Sequence, residues 1–440
     1  MRIIYHHRTR LGDAQAIHIR AMIHAFRHLG HEVEVVALVE SDRDDAARPK
    51  RLWRVETGRL PTWIYETLSL AYNLHGYRRL ARVLRRQGAD LIYERYALNT
   101  FCGALASRRF GVPLLLEVNA PWDHHLPTSG QVRFRRLARR LERWICSNST
   151  HVIAVTAALK RFLVEEGVPE SKVTVMHNAV DPVVFHPEVS GDEVRRRYRL
   201  NGHVAAGFVG WLRHWHGLKE LVEAVHASDL VARGLRLLIV GVGPAFQEVQ
   251  RRVRQLGLED KIILAGPVAH DQVPAHIAAL DIALQPRATA YACPMKLIEY
   301  MAMARCIVAP DQPNIRELLT DRVTARLFRT EDYGSLVEAI SDLMDSPVER
   351  ATLGRNAHRA VVERDSIWRA NAARALALLD DEQGRDDEQG QRPNLPIAKV
   401  EAANSQPDLC GPRLRGPPES GAQCGRLSTA ESGSRVGEHI

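Results

Sequence analysis

The stretch of sequence that decides the fold is Gln285–Leu318, QPRATAYACPMKLIEYMAMARCIVAPDQPNIREL. The residues that lead into it, Leu280–Gln285, are apolar enough to form a short buried strand, and a polar loop follows. Pro294 suits the first position of a helix, and Ile307–Ala309 form the next strand. This order predicts a parallel crossover in an open α/β sheet, where ligands bind at the carboxyl ends of the strands.

The predicted helix begins with groups that suit an anion and a sugar. Its N-terminus offers free N–H groups and the positive end of the helix dipole to an anion such as a diphosphate. Lys296 adds a positive charge in the first turn, and Glu299 could accept two hydrogen bonds from a ribose diol. Decoration of an exposed helix remains an alternative explanation, because short motifs also match by chance.

The segment from Pro294 to Leu319, PMKLIEYMAMARCIVAPDQPNIRELL, resembles the donor-site signature of retaining, GT-B-fold glycosyltransferases of family four. That family has two glutamates eight positions apart, and Glu299 matches the second, which holds the ribose. Tyr291 stands where the first would contact the donor sugar. The resemblance therefore assigns ribose recognition to Glu299 and nothing to Tyr291. The remaining donor-binding residues that it implies in this segment are Pro294, Met295, Lys296 and Leu297.

Length and composition are those of a globular protein with room for two domains. The chain has 440 residues, 45% of them hydrophobic, and its six cysteines are scattered without metal-binding spacing. The N-terminal residues lack the apolar core of a signal peptide, and no run reaches the roughly 20 apolar residues of a membrane span. The net charge of +8 favours anionic partners. We expect a cytoplasmic protein with no nucleic-acid partner, and a peripheral position on the inner face of the membrane is a further expectation.

The first half of the chain, residues 1–181, predicts one Rossmann-like domain that binds the acceptor. It opens with strand Arg2–Tyr5, a glycine-bearing loop, a helix and strand Glu32–Leu38. The family resemblance places Gly12 of this loop near the donor phosphate and His18 of the helix near the acceptor. A lone histidine such as His18 is, however, more often a structural residue.

Asn119 follows another predicted strand, Pro113–Val118. Many family members have a histidine there that touches the donor sugar or the acceptor, so the resemblance implies both kinds of contact for Asn119. An amide can hydrogen-bond a sugar but cannot take its proton.

Residues 133–145, RFRRLARRLERWI, predict an amphipathic helix with a basic face. Phe134, Leu137, Leu141 and Trp144 share one face, which we expect to pack on the sheet. Alternatively, the helix could attach the protein to an anionic membrane surface. We favour the first interpretation, because one apolar face cannot serve both the core and a bilayer.

The second half predicts a linker at residues 182–202 and a nucleotide-sugar-binding domain at residues 203–365. A loop beginning at Gly210 contains Arg213 and His216, which the resemblance assigns to the donor diphosphate. His216 stands in the family's lysine position, and a protonated imidazole would serve there. Gly241 and Gly243 lie in a G-x-G-P turn that resembles the family's turn at the nucleotide.

The end of the chain predicts two further segments. Residues 366–380 resemble the helix that crosses back to the first domain in GT-B proteins. Residues 381–440 contain no aromatic residue and many glycines, prolines and serines, which is typical of a disordered tail.

Together these features predict an α/β protein of GT-B type, with two Rossmann-like domains facing each other across a cleft. The resemblance implies retaining transfer of a hexose-type sugar from a nucleotide-sugar donor to a glycan or lipid-linked acceptor, in surface polysaccharide or glycolipid biosynthesis. Arg213, Lys296 and Glu299 are the expected catalytic residues, with no metal and no cofactor, because no DxD-type site is evident. A catalytically weakened nucleotide-sugar-binding protein and an epimerase of the same fold remain alternatives.

Overall fold

A computed structural model describes residues 1–9, 14–38, 61–124 and 132–388 of the protein. Two parallel six-stranded sheets organise these residues, one in each half of the chain. The predicted α/β class with two Rossmann-like domains is therefore confirmed. The predicted donor residue Gly12 and residues 389–440 of the predicted tail lie outside the described residues.

The N-terminal domain is built on a sheet whose apolar strands are buried on both faces. Its strands are β1 (Arg2–His7), β2 (Glu32–Ala37), β3 (Leu91–Arg95), β4 (Leu114–Val118), β5 (His151–Ala154) and β6 (Val173–Val175). They lie in the order β2-β1-β3-β4-β5-β6, all parallel. The helices of this domain are α1 (Ala14–His28), α2 (Thr62–Gln87), α3 (Cys102–Phe110), α4 (Arg135–Asn148) and α5 (Ala157–Glu165).

The longest helix of the N-terminal domain, α2, is absent from our sequence predictions. Its buried residues include several polar ones, so its apolar period is weak. Glu66 of α2 is fully buried, and its carboxylate accepts hydrogen bonds from the backbone N–H groups of Arg133 and Phe134, the latter at 2.9 Å. The N–H groups at the start of a helix have no partner within the helix. A carboxylate that accepts hydrogen bonds there therefore fixes the start of α4 against α2.

The packing of α4 corrects our sequence prediction for residues 133–145. Its buried residues are Ala138, Glu142, Ile145 and Cys146. Of the predicted core residues, Leu141 and Trp144 are partly buried and pack against the core, whereas Phe134 and Leu137 are 39% and 41% exposed. The prediction chose the most apolar stripe, whereas the sheet accepts a stripe with two small residues, which lets the helix approach closely.

The C-terminal domain repeats the architecture of the first. Its strands are β7 (Val204–Val209), β8 (Leu235–Val240), β9 (Ile262–Gly266), β10 (Ile282–Leu284), β11 (Cys306–Asp311) and β12 (Arg326–Arg329). The linker contains α6 (Asp192–Arg197); the domain contains α7 (Leu218–His226), α8 (Phe246–Gln255), α9 (Val273–Ala278), α10 (Met295–Ala302), α11 (Pro313–Arg316), α12 (Tyr333–Asp345) and α13 (Pro347–Glu363). The strands lie in the order β12-β11-β10-β7-β8-β9, so the direction of winding changes between β10 and β7.

The last described helix, α14 (Trp368–Glu388), belongs to the N-terminal domain. The chain crosses back at a bridge between Ile367 and Val180, and the Trp368 ring then meets the His18 ring edge-on at 4.6 Å. This is the crossing that we predict for residues 366–380. The helix continues to Glu388, however, so residues 381–388 are helical rather than part of a disordered tail.

None of the helices in the described part of the chain is both long and apolar enough to cross a membrane.

Candidate active site

The candidate site lies at the carboxyl ends of β7 and β10, where the winding direction of the second sheet changes. Open α/β sheets bind ligands at such a point. The loop after β7 begins at Gly210, and the loop after β10 leads to Pro294, which is the N-cap residue of α10 rather than its first residue. The N-terminus of α10 therefore opens into the crevice between the two loops.

Tyr300 brings the β7 loop against α10. Its buried hydroxyl accepts a hydrogen bond of 2.9 Å from the Val209 N–H, at the last residue of β7. Gly210 follows with φ +144°, and a Cβ there would lie 3.1 Å from the Cε atom of Lys296. Our sequence predictions name Gly210 but miss Tyr300. Its position in the EYM run predicts packing in the core but not this hydrogen bond.

The turn of Gly241 and Gly243 packs directly on the β7 loop. A Cβ on Gly241, whose φ is +123°, would lie 2.0 Å from the Gly210 carbonyl oxygen, and one on Gly243 would lie 2.2 Å from that of Leu212. Only glycine permits this approach at a positive φ. These glycines shape the floor of the crevice, and a donor contact by either remains a prediction.

Lys296 extends from the first turn of α10 across the crevice. Its ammonium lies 4.2 Å from the centroid of the Phe208 ring and 3.5 Å from Nε2 of His216. Burial lowers the pKa of Lys296 to about 8, and the nearby Glu299 opposes this effect. The side chain thus carries a positive charge at neutral pH in a site with little water around it.

His216 contributes a neutral donor, which corrects our prediction of a protonated imidazole. Burial, together with the positive charges of Lys296 and Arg213, lowers the pKa of His216 to about 2. Its Nδ1 accepts the Arg213 N–H at 3.2 Å, which assigns the ring proton to Nε2. The Lys296 ammonium lies 3.5 Å from Nε2, so a cation and a polar ring stand side by side in the crevice, which is an arrangement suited to an anion.

Arg213 lies between two partly exposed tryptophans at the edge of the crevice. Its guanidinium carbon is 5.9 Å from the centroid of the Trp211 ring and 5.2 Å from that of Trp215. Cation–π contacts of this kind hold a long side chain in one orientation without neutralising it. Arg213 and Lys296 are thus two cations near His216, and both lower its pKa.

Glu299 follows Lys296 by one turn on α10. Burial raises the pKa of its carboxyl to about 7, although Lys296 pulls it down. Within the described part of the chain it makes no hydrogen bond or ion pair, so its two oxygens are open to a diol. Two neighbouring residues that we predict to bind the donor are placed differently from Glu299. Leu297 is fully buried in the core, and its N–H group donates to the Pro294 carbonyl oxygen. Met295 packs on the N-terminal domain. The structure thus gives the side chain of Leu297 no access to a donor.

The predicted acceptor residues of the N-terminal domain meet at Glu117, a residue that our sequence predictions miss. His18 is 4% exposed and lies 2.9 Å from one Glu117 oxygen; Arg95 and Tyr93 donate to the same carboxylate at 2.7 and 2.6 Å, and Asn119 donates as well. Burial would raise the pKa of Glu117, but His18 and Arg95 hold it well below its usual range. His18 is consequently a structural partner of Glu117 rather than an exposed acceptor contact. The sequence signal that could have identified Glu117 is its charge inside the otherwise apolar strand PLLLEV.

The crevice can therefore bind a diphosphate through N–H donors and two cations, and a ribose through Glu299. In the described residues, no group of three or more His, Cys, Asp or Glu side chains could hold a metal ion. The second domain forms this crevice, and the β10 loop connects it to the first domain through the carbonyls of Tyr291 and Cys293.

Comparison with known proteins gives two family matches. Residues 15–184 match the model described as Glycosyltransferase Family 4, and residues 204–346 match the model described as Glycosyl transferases group 1. A similar curated protein is the 2-deoxystreptamine glucosyltransferase of Streptomyces kanamyceticus, which is 28% identical over 61% of this chain and 74% of its own. Another is the MMP alpha-(1->4)-mannosyltransferase of Mycolicibacterium hassiacum, 25% identical over 86% of this chain and 96% of its own.

Solved structures share the fold at low sequence identity. Anabaena HepE in complex with UDP superposes with a TM-score of 0.66 at 16% identity, over 86% of this chain and 100% of that one. The apo form of the lipopolysaccharide outer core galactosyltransferase WaaB gives a TM-score of 0.60 at 16% identity, over 86% of this chain and 99% of its own. These superpositions confirm the GT-B arrangement of two domains.

Proposed function

This chain belongs to the group 1 and family 4 glycosyltransferases, and we propose that it transfers a hexose-type sugar from a nucleoside-diphosphate sugar, with retention of anomeric configuration. The proposed acceptor is a glycan or a lipid-linked sugar, in surface polysaccharide or glycolipid biosynthesis. Relatives named as glucosyl- and mannosyltransferases support the hexose, and a fold neighbour solved with UDP supports a nucleotide donor.

The observation that carries the proposal is the pairing of the Lys296 ammonium, in the first turn of α10, with the His216 ring 3.5 Å away. Negative charge develops on the leaving diphosphate as the bond to the sugar breaks. Two fixed donors, 3.5 Å apart, together with Arg213 would stabilise that charge without reorganising. Glu299 would meanwhile hold the ribose, which fixes the distance of the diphosphate from Lys296.

We also propose that the reaction needs no divalent metal, no cofactor and no protein base. Arg213 and Lys296 stand where a metal would otherwise neutralise the diphosphate. Asn119, at the end of β4, cannot take a proton from an acceptor hydroxyl. The leaving phosphate oxygen would then accept that proton itself.

Turnover with a panel of nucleotide sugars and sugar acceptors tests this function. We expect one donor to be consumed only when an acceptor is present, and the new glycosidic bond to keep the donor's anomeric configuration by NMR. Interconversion of nucleotide sugars without an acceptor would instead identify an epimerase. Tight nucleotide binding with no turnover on any acceptor would identify a binding protein.

We further propose that the N-terminal domain docks on an anionic membrane through α2 and α4. Phe134, the N-cap residue of α4, and Leu137 within α4 are exposed, and arginines flank them. Glu66 holds α2 against the start of α4, and α2 also carries exposed apolar residues. On α2 these are Trp63, Leu68 and Leu74, which are 55%, 50% and 60% exposed.

The chemistry of this surface suits anionic lipid. Large apolar side chains that are surrounded by arginine insert at the boundary of head groups and acyl chains, and the charges attract anionic lipids. Our reason for favouring a core-packing face no longer applies, since Ala138, Glu142, Ile145 and Cys146 form the core face.

Co-sedimentation with phosphatidylglycerol–phosphatidylcholine vesicles tests the docking. We expect binding that weakens with salt, and loss of binding in Phe134→Ser/Leu137→Ser. The matched control is Val348→Ser/Val362→Ser, which removes two residues that are 75% and 63% exposed on α13 of the other domain. Equal binding by both double variants would rule out this surface.

A further inference from the structure

Glu317, which follows α11 in the second domain, reaches into the first domain. Its two carboxylate oxygens accept the backbone N–H groups of Ala157 and Ala158, at 2.8 and 3.2 Å. These are the first two residues of α5. His177, at the end of the β6 segment, lies 2.8 Å from the same carboxylate. One side chain of the donor domain thus binds two separate segments of its partner domain.

The charge of Glu317 suits this position. A carboxylate at the N-terminus of a helix satisfies free N–H groups and meets the positive end of the helix dipole. Burial opposes ionisation, but hydrogen bonds from His177, Ala157 and Ala158 nevertheless lower the pKa of Glu317. The carboxylate is therefore ionised at neutral pH, and separation of the domains would leave it without these donors.

The same interface holds the loop that leads into α10. The Thr156 hydroxyl caps α5 by accepting the Leu159 N–H at 3.0 Å, and it donates to the Tyr291 carbonyl oxygen at 2.8 Å. The Asn178 amide donates to the Cys293 carbonyl oxygen at 2.7 Å. Both donors belong to the N-terminal domain, and both acceptors lie immediately before Pro294.

The second domain holds this loop from the other side. Asn314 of α11 is fully buried, and its amide donates to the Thr289 and Ala292 carbonyl oxygens at 3.0 and 2.7 Å. The loop is thus fixed by α11 at two carbonyls and by the N-terminal domain at two others. If the domains separated, the loop would keep the contacts from Asn314 and lose those from Thr156 and Asn178.

We propose that Glu317 is a positioning residue that latches the N-terminal domain onto the loop of residues 289–293. In the latched state, the loop fixes the start of α10. It thereby fixes the direction in which Lys296 and Glu299 face the donor. This inference rests on the proposed donor site, and it adds that the site is complete only while the two domains are joined.

The latch separates binding from transfer. Arg213, His216, Lys296 and Glu299 all belong to the second domain, so a nucleotide should still bind when the latch is broken. Transfer should suffer more, because it requires the loop in place and an acceptor domain at the correct distance. A purely structural role for Glu317 would affect stability and nucleotide affinity together.

The test compares wild type with Glu317→Ala and the control Asp311→Asn. Asp311 also forms an ion pair near α11, but its partner is Arg316 of the same domain, at 2.7 Å. For Glu317→Ala we expect a larger radius of gyration by small-angle X-ray scattering and kcat lower by about tenfold or more, because the lost hydrogen bonds are charged. Affinity for UDP or GDP, whichever binds wild type, should change by less than about twofold.

Two further variants complete the test. Glu317→Gln keeps the acceptor oxygen but not the charge, and we expect it to fall between wild type and alanine in both scattering and kcat. Asp311→Asn should match wild type. An unchanged radius of gyration in Glu317→Ala, or a loss of nucleotide affinity as large as its loss of kcat, would overturn the latch. Since scattering needs no turnover, an unchanged radius of gyration overturns the latch whether or not the proposed transfer reaction occurs.

Discussion

The Lys296→Met substitution tests the electrostatics of the donor site most directly. With a pKa of about 8, the ammonium is about 90% protonated at pH 7. Methionine keeps a similar length and remains next to the Phe208 ring, where a thioether packs well. The substitution thus removes the charge without opening a cavity, and we expect the melting temperature to stay near that of wild type.

The expected loss follows from the contact that the charge would make. A hydrogen bond to a charged group contributes about 1.5–3 kcal/mol, which corresponds to about tenfold to 100-fold weaker binding of a nucleoside diphosphate. A second effect appears at Glu299, because Lys296 lowers the pKa of that carboxyl. Without the lysine the pKa of Glu299 rises further above 7, so the variant needs a higher pH to ionise it.

Isothermal titration with UDP and GDP between pH 6 and pH 9 measures both effects. Lys219→Met is the control, since Lys219 is a half-exposed lysine of the same domain that lies 3.6 Å from Glu248. We expect the control to bind like wild type at every pH. Nucleotide affinity that is equal in Lys296→Met and wild type would refute the assignment of the diphosphate to this point of the crevice.

Three further outcomes follow from the same site. Wild-type nucleotide affinity should rise with pH through about 7, where Glu299 ionises, and fall above about 8, where Lys296 loses its proton. In the same titrations, Glu299→Gln should bind about tenfold to 100-fold more weakly, and its affinity should not rise near pH 7. Gly241→Ala should lower the unfolding free energy by about 1–3 kcal/mol in urea titrations, because its Cβ would lie 2.0 Å from the Gly210 oxygen; Gly257→Ala, with open space at the Cβ, should lose less. Chelator should leave sugar transfer intact while Arg213→Ala/Lys296→Ala reduces it, and activity that vanishes with chelator and returns with magnesium would contradict the metal-free proposal.

The donor side of the molecule was largely predictable from the sequence. Its strands are continuous apolar runs, and its loops begin with glycines whose backbone has a positive φ, as at Gly210 and Gly241. A proline stands immediately before the helix that carries Lys296 and Glu299, which is a local signal as well. Such features depend on residues close together in the chain, so a single sequence displays them.

The errors arose where distant segments decide the outcome. The charge state of His216 depends on Lys296, 80 residues away. The role of His18 depends on Glu117, which is separated from it by 99 residues. The buried face of α4 was misassigned because α2, which fixes its start through Glu66, was itself not predicted. Periodicity shows which face of a helix is the most apolar. It does not show the shape of the surface against which the helix packs.

The return of α14 to the first domain has a practical consequence for protein engineering. Because Trp368 and Ala372 complete the core beneath α1, the N-terminal domain is encoded by two separate segments, whereas the C-terminal domain is encoded by one. A fragment that stops at residue 181 would expose that core, whereas residues 1–181 supplied together with a peptide spanning 366–388 could reassemble it. Chimaeras that exchange donor specificity between enzymes should accordingly take the middle of the gene and leave both ends with the recipient.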